Sequence, residues 1–195
     1  MPRPVSVAIT GGIGAGKSEA LAAFHRHGAA VVSSDEIVHR LLAEDEEVRA
    51  ELRARLGDEV FNEHGDVVRS RVAERVFADP ELRAWLEGLL HPRVVREFLA
   101  WSDEQARKPQ PPALIVTEVP LLYETGGDRR FDRVVVITAP TAVRAARHPV
   151  GDDREERLLR DEEKVRRADY VYVNEGTLEE LERFVAGVVE ELSRS

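Results

Sequence analysis

Apolar residues recur along this chain in two rhythms. Residues 5–9 (VSVAI), 113–119 (ALIVTEV) and 133–138 (RVVVIT) are almost continuously apolar. That is the pattern of strands covered on both faces inside a parallel sheet. Shorter runs at 29–32 and 170–173 predict two more strands. Between them the spacing lengthens to three and four residues, the mark of helices with one packed face. A helix is predicted over 18–27, packing Ala20, Leu21, Ala23 and Phe24. From residue 36 the rhythm continues through Ile37, Leu41 and Leu42, then Val48, Leu52 and Leu56, until Gly57 stops it. Turn signals fill 58–65, and helices follow at 72–77 and 82–90. Pro92 is read as the start of a further helix carrying Val94, Val95, Phe98 and Trp101. KPQPP at 108–112 is a linker, and 177–192 closes the chain as a helix.

Strands alternating with helices predict an α/β protein with a mostly parallel five-stranded sheet. The strand-free stretch 36–108 is too long for one crossover. It is read as a helical, acceptor-binding subdomain inserted into a single domain that spans 1–195. A charged segment, 152–167, separates the last two strands.

Composition narrows the class. A chain of 195 residues, 43% apolar and 33% charged, can bury a full core. A net charge of −9 argues against a nucleic-acid binder, which needs clustered cations. The absence of cysteine excludes disulfides, thiolate metal sites and a cysteine nucleophile. No apolar run approaches a membrane span and no leader is visible, so a cytoplasmic protein with no membrane partner is expected. Of 28 basic residues all but Lys17, Lys108 and Lys164 are arginine. Heat adaptation and a GC-rich genome would each produce that bias.

The candidate chemistry begins after the first strand. Gly11-Gly12-Ile13-Gly14-Ala15-Gly16-Lys17-Ser18 fits G-x-x-x-x-G-K-[ST] in full. Glycines let consecutive N–H groups turn inward around an anion, and the following helix adds its positive end. Lys17 is placed for the β- and γ-phosphates of a nucleoside triphosphate and Ser18 for Mg²⁺. A nucleoside-triphosphate site on a P-loop NTPase-type three-layer α/β/α fold is therefore predicted. Asp35 follows the second strand, where a carboxylate suits the removal of a hydroxyl proton. It is equally placed to cap the next helix.

Several segments together resemble the dephospho-CoA kinase family. These are TGGIGAGKS with Thr10 at its head, VVSSDEIVHRLL, and GDVVRSRVAERVFADPELRAWLEGLLHPRV with Arg69 and Leu90-His91-Pro92. TEVPLLYE and DYVYVNEGTLEEL complete the set. The resemblance implies ATP- and Mg²⁺-dependent phosphorylation of the ribose 3′-hydroxyl of dephospho-CoA, giving coenzyme A. It places Asp35 at the family's catalytic aspartate, and Thr10, Lys17 and Arg147 beside it. The donor contacts are Gly12, Ile13, Gly14, Ala15, Gly16, Lys17, Ser18 and Glu19, with Asn174 and Gly176 near the adenine. The acceptor contacts are Asp35, Arg69, His91, Pro120 and Leu121. Ser18 and Glu118 are the metal candidates. Glu118 is alternatively a structural carboxylate, Arg147 a surface ion pair, and His91 a packing residue ahead of a helix.

The chain departs from that family in three places. Ser33 stands where an acid often begins a D-x-D, and Glu19 where a threonine is usual, so Glu19 is expected to point away from the phosphates. The family's lid falls on 147–167, and here it is shorter, with Pro149 and Gly151 interrupting it and Arg154, Arg157 and Arg160 spaced three apart. Such a lid predicts more ATP hydrolysis without acceptor. The competing readings are another P-loop kinase for a nucleoside or small alcohol, and a nucleotide-binding regulator without catalysis.

Overall fold

The structure, a computed structural model, describes residues 3–77, 79–147 and 158–194. The described residues form two units, 1–33 with 102–195 and 34–101. Of the expected lid, Pro149, Gly151, Arg154 and Arg157 lie outside the described residues.

The first unit is built on five parallel strands in the order β2-β3-β1-β4-β5. They are β1 (Val5–Thr10), β2 (Ala30–Ser33), β3 (Leu114–Glu118), β4 (Arg133–Thr138) and β5 (Tyr170–Val173). β1 is the central strand, and its register sets Ile9 beside both Glu118 and Val135. Helices α1 (Lys17–Arg26) and α8 (Leu178–Ser193) cover one face. There Phe24, Leu181 and Val185 close over Val7, Ile9, Val116 and Ile137, all essentially without exposure. On a second cluster, Leu122 and Tyr123 pack with Ala8, Val134 and Val136, joined by Leu159 and Val165. Val165 belongs to α7 (Asp161–Arg167). α8 starts on a full capping box, Thr177 with Glu180, and its buried face repeats at Leu181, Val185, Val188 and Leu192.

The second unit holds α2 (Ser34–Glu44), α3 (Glu46–Leu56), α4 (Arg69–Phe77) and the first part of α5 (Pro80–Ala106). The long periodic run from residue 36 is two helices, because the Asp45 side chain accepts from Val48 N at 3.0 Å and caps α3. Arg53 lies over the Phe61 ring at 4.0 Å, and Arg71 donates to the Phe61 carbonyl at 2.8 Å. Pro92 does not start a helix: it lies inside α5, which runs unbroken over 27 residues. Having no N–H, it cannot donate the helical hydrogen bond to the Gly88 carbonyl one turn earlier. α6 (Thr141–Arg147) has no buried residue and therefore left no periodic signal in the sequence.

At the entrance to the sheet, Asp132 joins β1 to β4. Its Oδ2 accepts from Ser6 N at 2.9 Å and Ser6 Oγ at 2.9 Å, and Arg3 grips both oxygens at 3.0 and 2.6 Å. Burial pushes this carboxyl up, but the bonds from Ser6 and Arg3 outweigh it and hold it below the usual carboxylate range. Its contribution is therefore present above the unfolded value, near pH 3.9, and is lost as pH falls through the folded one. Asp132→Asn is expected to cost about 1 kcal/mol at pH 7. In urea titrations that difference should shrink as the pH is lowered through the folded value.

Candidate phosphate-binding site

The loop between β1 and α1 is shaped by what surrounds it. Gly11 takes φ 148° with the Ile137 carbonyl of β4 in the space a side chain would fill. Gly16, at φ 99°, is the N-cap of α1 and lies against the Asn174 amide. Any L side chain would be strained at both positions and would collide besides. The loop thus reaches α1 with its N–H groups available at a helix N-terminus, which is an anion site by construction.

The side chains expected at the donor gather around it. Lys17 Nζ donates to the Gly12 carbonyl at 2.9 Å across the mouth of the loop. Ser18 Oγ donates to Glu118 Oε2 at 3.2 Å, with Glu118 almost fully buried at the end of β3. These hard oxygens suit Mg²⁺, an ion bound through one or two protein ligands with waters and substrate phosphates. Thr10, without exposure, donates to the Pro120 carbonyl at 3.4 Å, so the end of β1 and the turn holding Pro120 and Leu121 are tied together. Arg147, the last residue of α6, donates to the Gly14 carbonyl at 3.3 Å. Glu19 is exposed and pairs with Arg26 at 2.7 Å, one helical face away from the loop.

Two residues expected near adenine have other company. Asn174 is buried; its Nδ2 donates to the Ala15 carbonyl at 2.8 Å, and its N–H to Thr138 O at 2.7 Å. It braces the loop from beneath. Gly176 lies against Glu180, the capping-box residue of α8. Ile13, Gly14 and Ala15 complete the loop.

The sequence reading missed Arg144, Asp161 and Thr138. Asp161 Oδ2 accepts from Thr138 Oγ1 at 2.7 Å and lies 3.8 Å from Arg144 Nη1. A Cβ at Gly12 would be 2.5 Å from that same Nη1, so the guanidinium rests on the loop. These residues, with Val173 and Glu175, line a cleft of about 650 Å³ opening beside Gly12. Arg144 lies on a helix without apolar periodicity, and no spacing rule marks it.

In the second unit, Asp35 is exposed in the first turn of α2, two residues after Ser33, which pairs in register with Glu118. His39 follows one turn later. Arg69 Nη1 lies 3.2 Å from His39 Nδ1, a contact in which only arginine can donate, so Nδ1 accepts. His39 was overlooked because a lone histidine on a helix carries no pattern. His91 is exposed within α5.

Comparison with known proteins decides the family. The family model for dephospho-CoA kinase matches residues 5–180. The chain belongs to the dephospho-CoA kinase family. The dephospho-CoA kinase of Protochlamydia amoebophila is 36% identical over 195 residues, covering 95% of each protein. A crystal structure of a Thermus thermophilus protein is 34% identical with a TM-score of 0.77, spanning 98% of this chain and 99% of the other. The dephospho-CoA kinase from Campylobacter jejuni, 21% identical, shares the fold with a TM-score of 0.70 over 97% and 98%. This dephospho-CoA kinase family member is accordingly a P-loop kinase, a phosphotransferase, and its parallel sheet has the order just described. Among the described residues no helix is long and apolar enough to cross a membrane.

Tyr123, beside the site in the second core cluster, is 6% exposed, and its hydroxyl has no hydrogen-bond partner among the described residues. Burial pushes its pKa up to about 12. Tyr123→Phe removes a desolvated donor and should raise stability by about 1 kcal/mol at neutral pH. Between pH 10 and about 12 the unfolded tyrosine ionises while the folded one does not. Thermal melts across that window should show wild type losing stability relative to the variant.

Proposed function

We propose that this chain transfers the γ-phosphoryl group of ATP to the ribose 3′-hydroxyl of dephospho-CoA, releasing coenzyme A and ADP in the cytoplasm. The observation that carries the reading is the loop of residues 11–18, braced by Asn174 and headed by Lys17, in a chain matched to this family over residues 5–180.

The donor's phosphates take the place of the Gly12 carbonyl as partner of Lys17, and the loop N–H groups and the start of α1 balance their charge. The base and ribose lie in the cleft lined by Val173 and Glu175. Ser18 and Glu118 would hold Mg²⁺, which when bound would supply positive charge beside the transferring group. Asp35 takes the proton of the 3′-hydroxyl as its oxygen attacks phosphorus and the bond to the bridging oxygen of ADP breaks. Arg147 balances charge on the transferring group. Arg69, His91, Pro120 and Leu121 contact the acceptor, with His39 fixing the Arg69 guanidinium. The helical unit 34–101 is the acceptor-binding part.

Incubation with ATP, Mg²⁺ and dephospho-CoA should yield coenzyme A by mass spectrometry. Asp35→Asn should lower kcat by about 10²–10⁴-fold while ATP binding by calorimetry is retained. Product formation at the wild-type rate by that variant, or phosphorylation of a different alcohol in preference to dephospho-CoA, contradicts the reading.

A further inference from the structure

We propose that Glu124 is a positioning residue for the donor nucleotide, acting through the start of α7 on Arg144 at the phosphate loop. The proposal rests on the loop being the ATP site, as above, and assigns work to residues outside the family resemblance's site set.

Glu124 ends the turn that follows β3. One of its oxygens, Oε1, accepts from Leu159 N at 2.8 Å and pairs with Lys164 Nζ at 3.0 Å. The two grips bracket Arg160 and Asp161 in the chain, so a single carboxylate oxygen fixes the N-terminal end of α7 from both sides. Asp161 is in turn the residue that accepts from Thr138 and faces Arg144, whose guanidinium rests against Gly12. A path therefore runs from the turn after β3, through the head of α7 and the Asp161–Arg144 pair, to a guanidinium packed against Gly12.

Stability alone does not require this arrangement. Leu122, Tyr123, Val134 and Val136 already pack with Leu159 and Val165. The other end of α7 is held separately, by Arg167 to Asp128 at 3.0 Å and over the Tyr123 ring at 4.1 Å. A buried ion pair adds little net stability compared with apolar residues of the same volume, yet removing one partner strands a charge. Lys164 is without exposure, one of only three lysines in a chain that otherwise writes its cations as arginine. A compact ammonium fits where a guanidinium fork would need further acceptors. What the pair secures is geometry: with α7 fixed, Asp161 keeps the Arg144 guanidinium on the loop, aimed at the cleft where an incoming phosphate would meet it.

The test is a double-mutant cycle on the full chain, read by calorimetric titration of Mg·ATP without acceptor and by steady-state kinetics. Arg144→Met should weaken ATP binding about tenfold, the size of one charge-assisted hydrogen bond. Glu124→Gln should weaken it about fivefold on the same scale, raising KM for ATP more than it lowers kcat and leaving KM for dephospho-CoA within twofold. In the Arg144→Met background the Glu124→Gln effect should vanish. Asp161→Asn, at the partly exposed head of α7, leaves the buried pair intact and should reproduce the shift, again only while Arg144 is present. It decides the matter if Glu124→Gln does not fold. An equal effect with and without Arg144, or a fall in kcat with ATP affinity unchanged, overturns the proposal. A wild type that binds ATP and leaves dephospho-CoA unphosphorylated sinks the proposed reaction instead, since this cycle is read without acceptor.

Discussion

The close approach of the residue 11–16 loop to the ends of β4 and β5 is the constraint on which the rest depends. Ile137 presses on Gly11 from one side and Asn174 on Gly16 from another. Both contacts follow from β1 lying between β3 and β4 in a parallel sheet, with its last residue, Thr10, in register with Val136 two residues before β4 ends. The path of the loop is thus set by the ends of β4 and β5 that it meets. Asn174 illustrates the bracing: its side-chain amide donates to the Ala15 carbonyl and its own N–H to Thr138 O, tying the loop to the end of β4.

Much of this was legible in the sequence because the relevant physics is local. Strand, glycine turn and helix follow one another within 22 residues, and each carries its own signature. The central strands were evident for the opposite reason: burial on both faces leaves an unbroken apolar run. What escaped has physical causes. Asp45 splits one periodic run because a cap is a single side chain, invisible to a count of apolar spacing. Pro92 was read as a start because proline favours the first turn, and that rule takes no account of the apolar spacing that continues on both sides of it. α6 has no buried face, so nothing periodic announced it, and Arg144 went with it.

Charge is arranged against the overall balance. A chain with net charge −9 collects Lys17, Arg144 and Arg147 around one loop. The acids nearby are engaged: Glu118 with Ser18, Asp161 with Thr138 and Glu124 with Lys164. Each of these carboxylates thus has a partner within the protein. Glu19 fits the same scheme from outside, its charge drawn off by Arg26.

The scarcity of lysine has a practical side. Lys164 is sealed from solvent and Lys108 sits on the exposed stretch before β3, bonded to Gln105, which leaves Lys17 as the one partly accessible amine at the loop. An acylating reagent mild enough to spare the folded state would find few targets among the described side chains, separable by peptide mass. Shielding of one of them by a nucleotide would turn the chain's own composition into an occupancy gauge for the phosphate pocket.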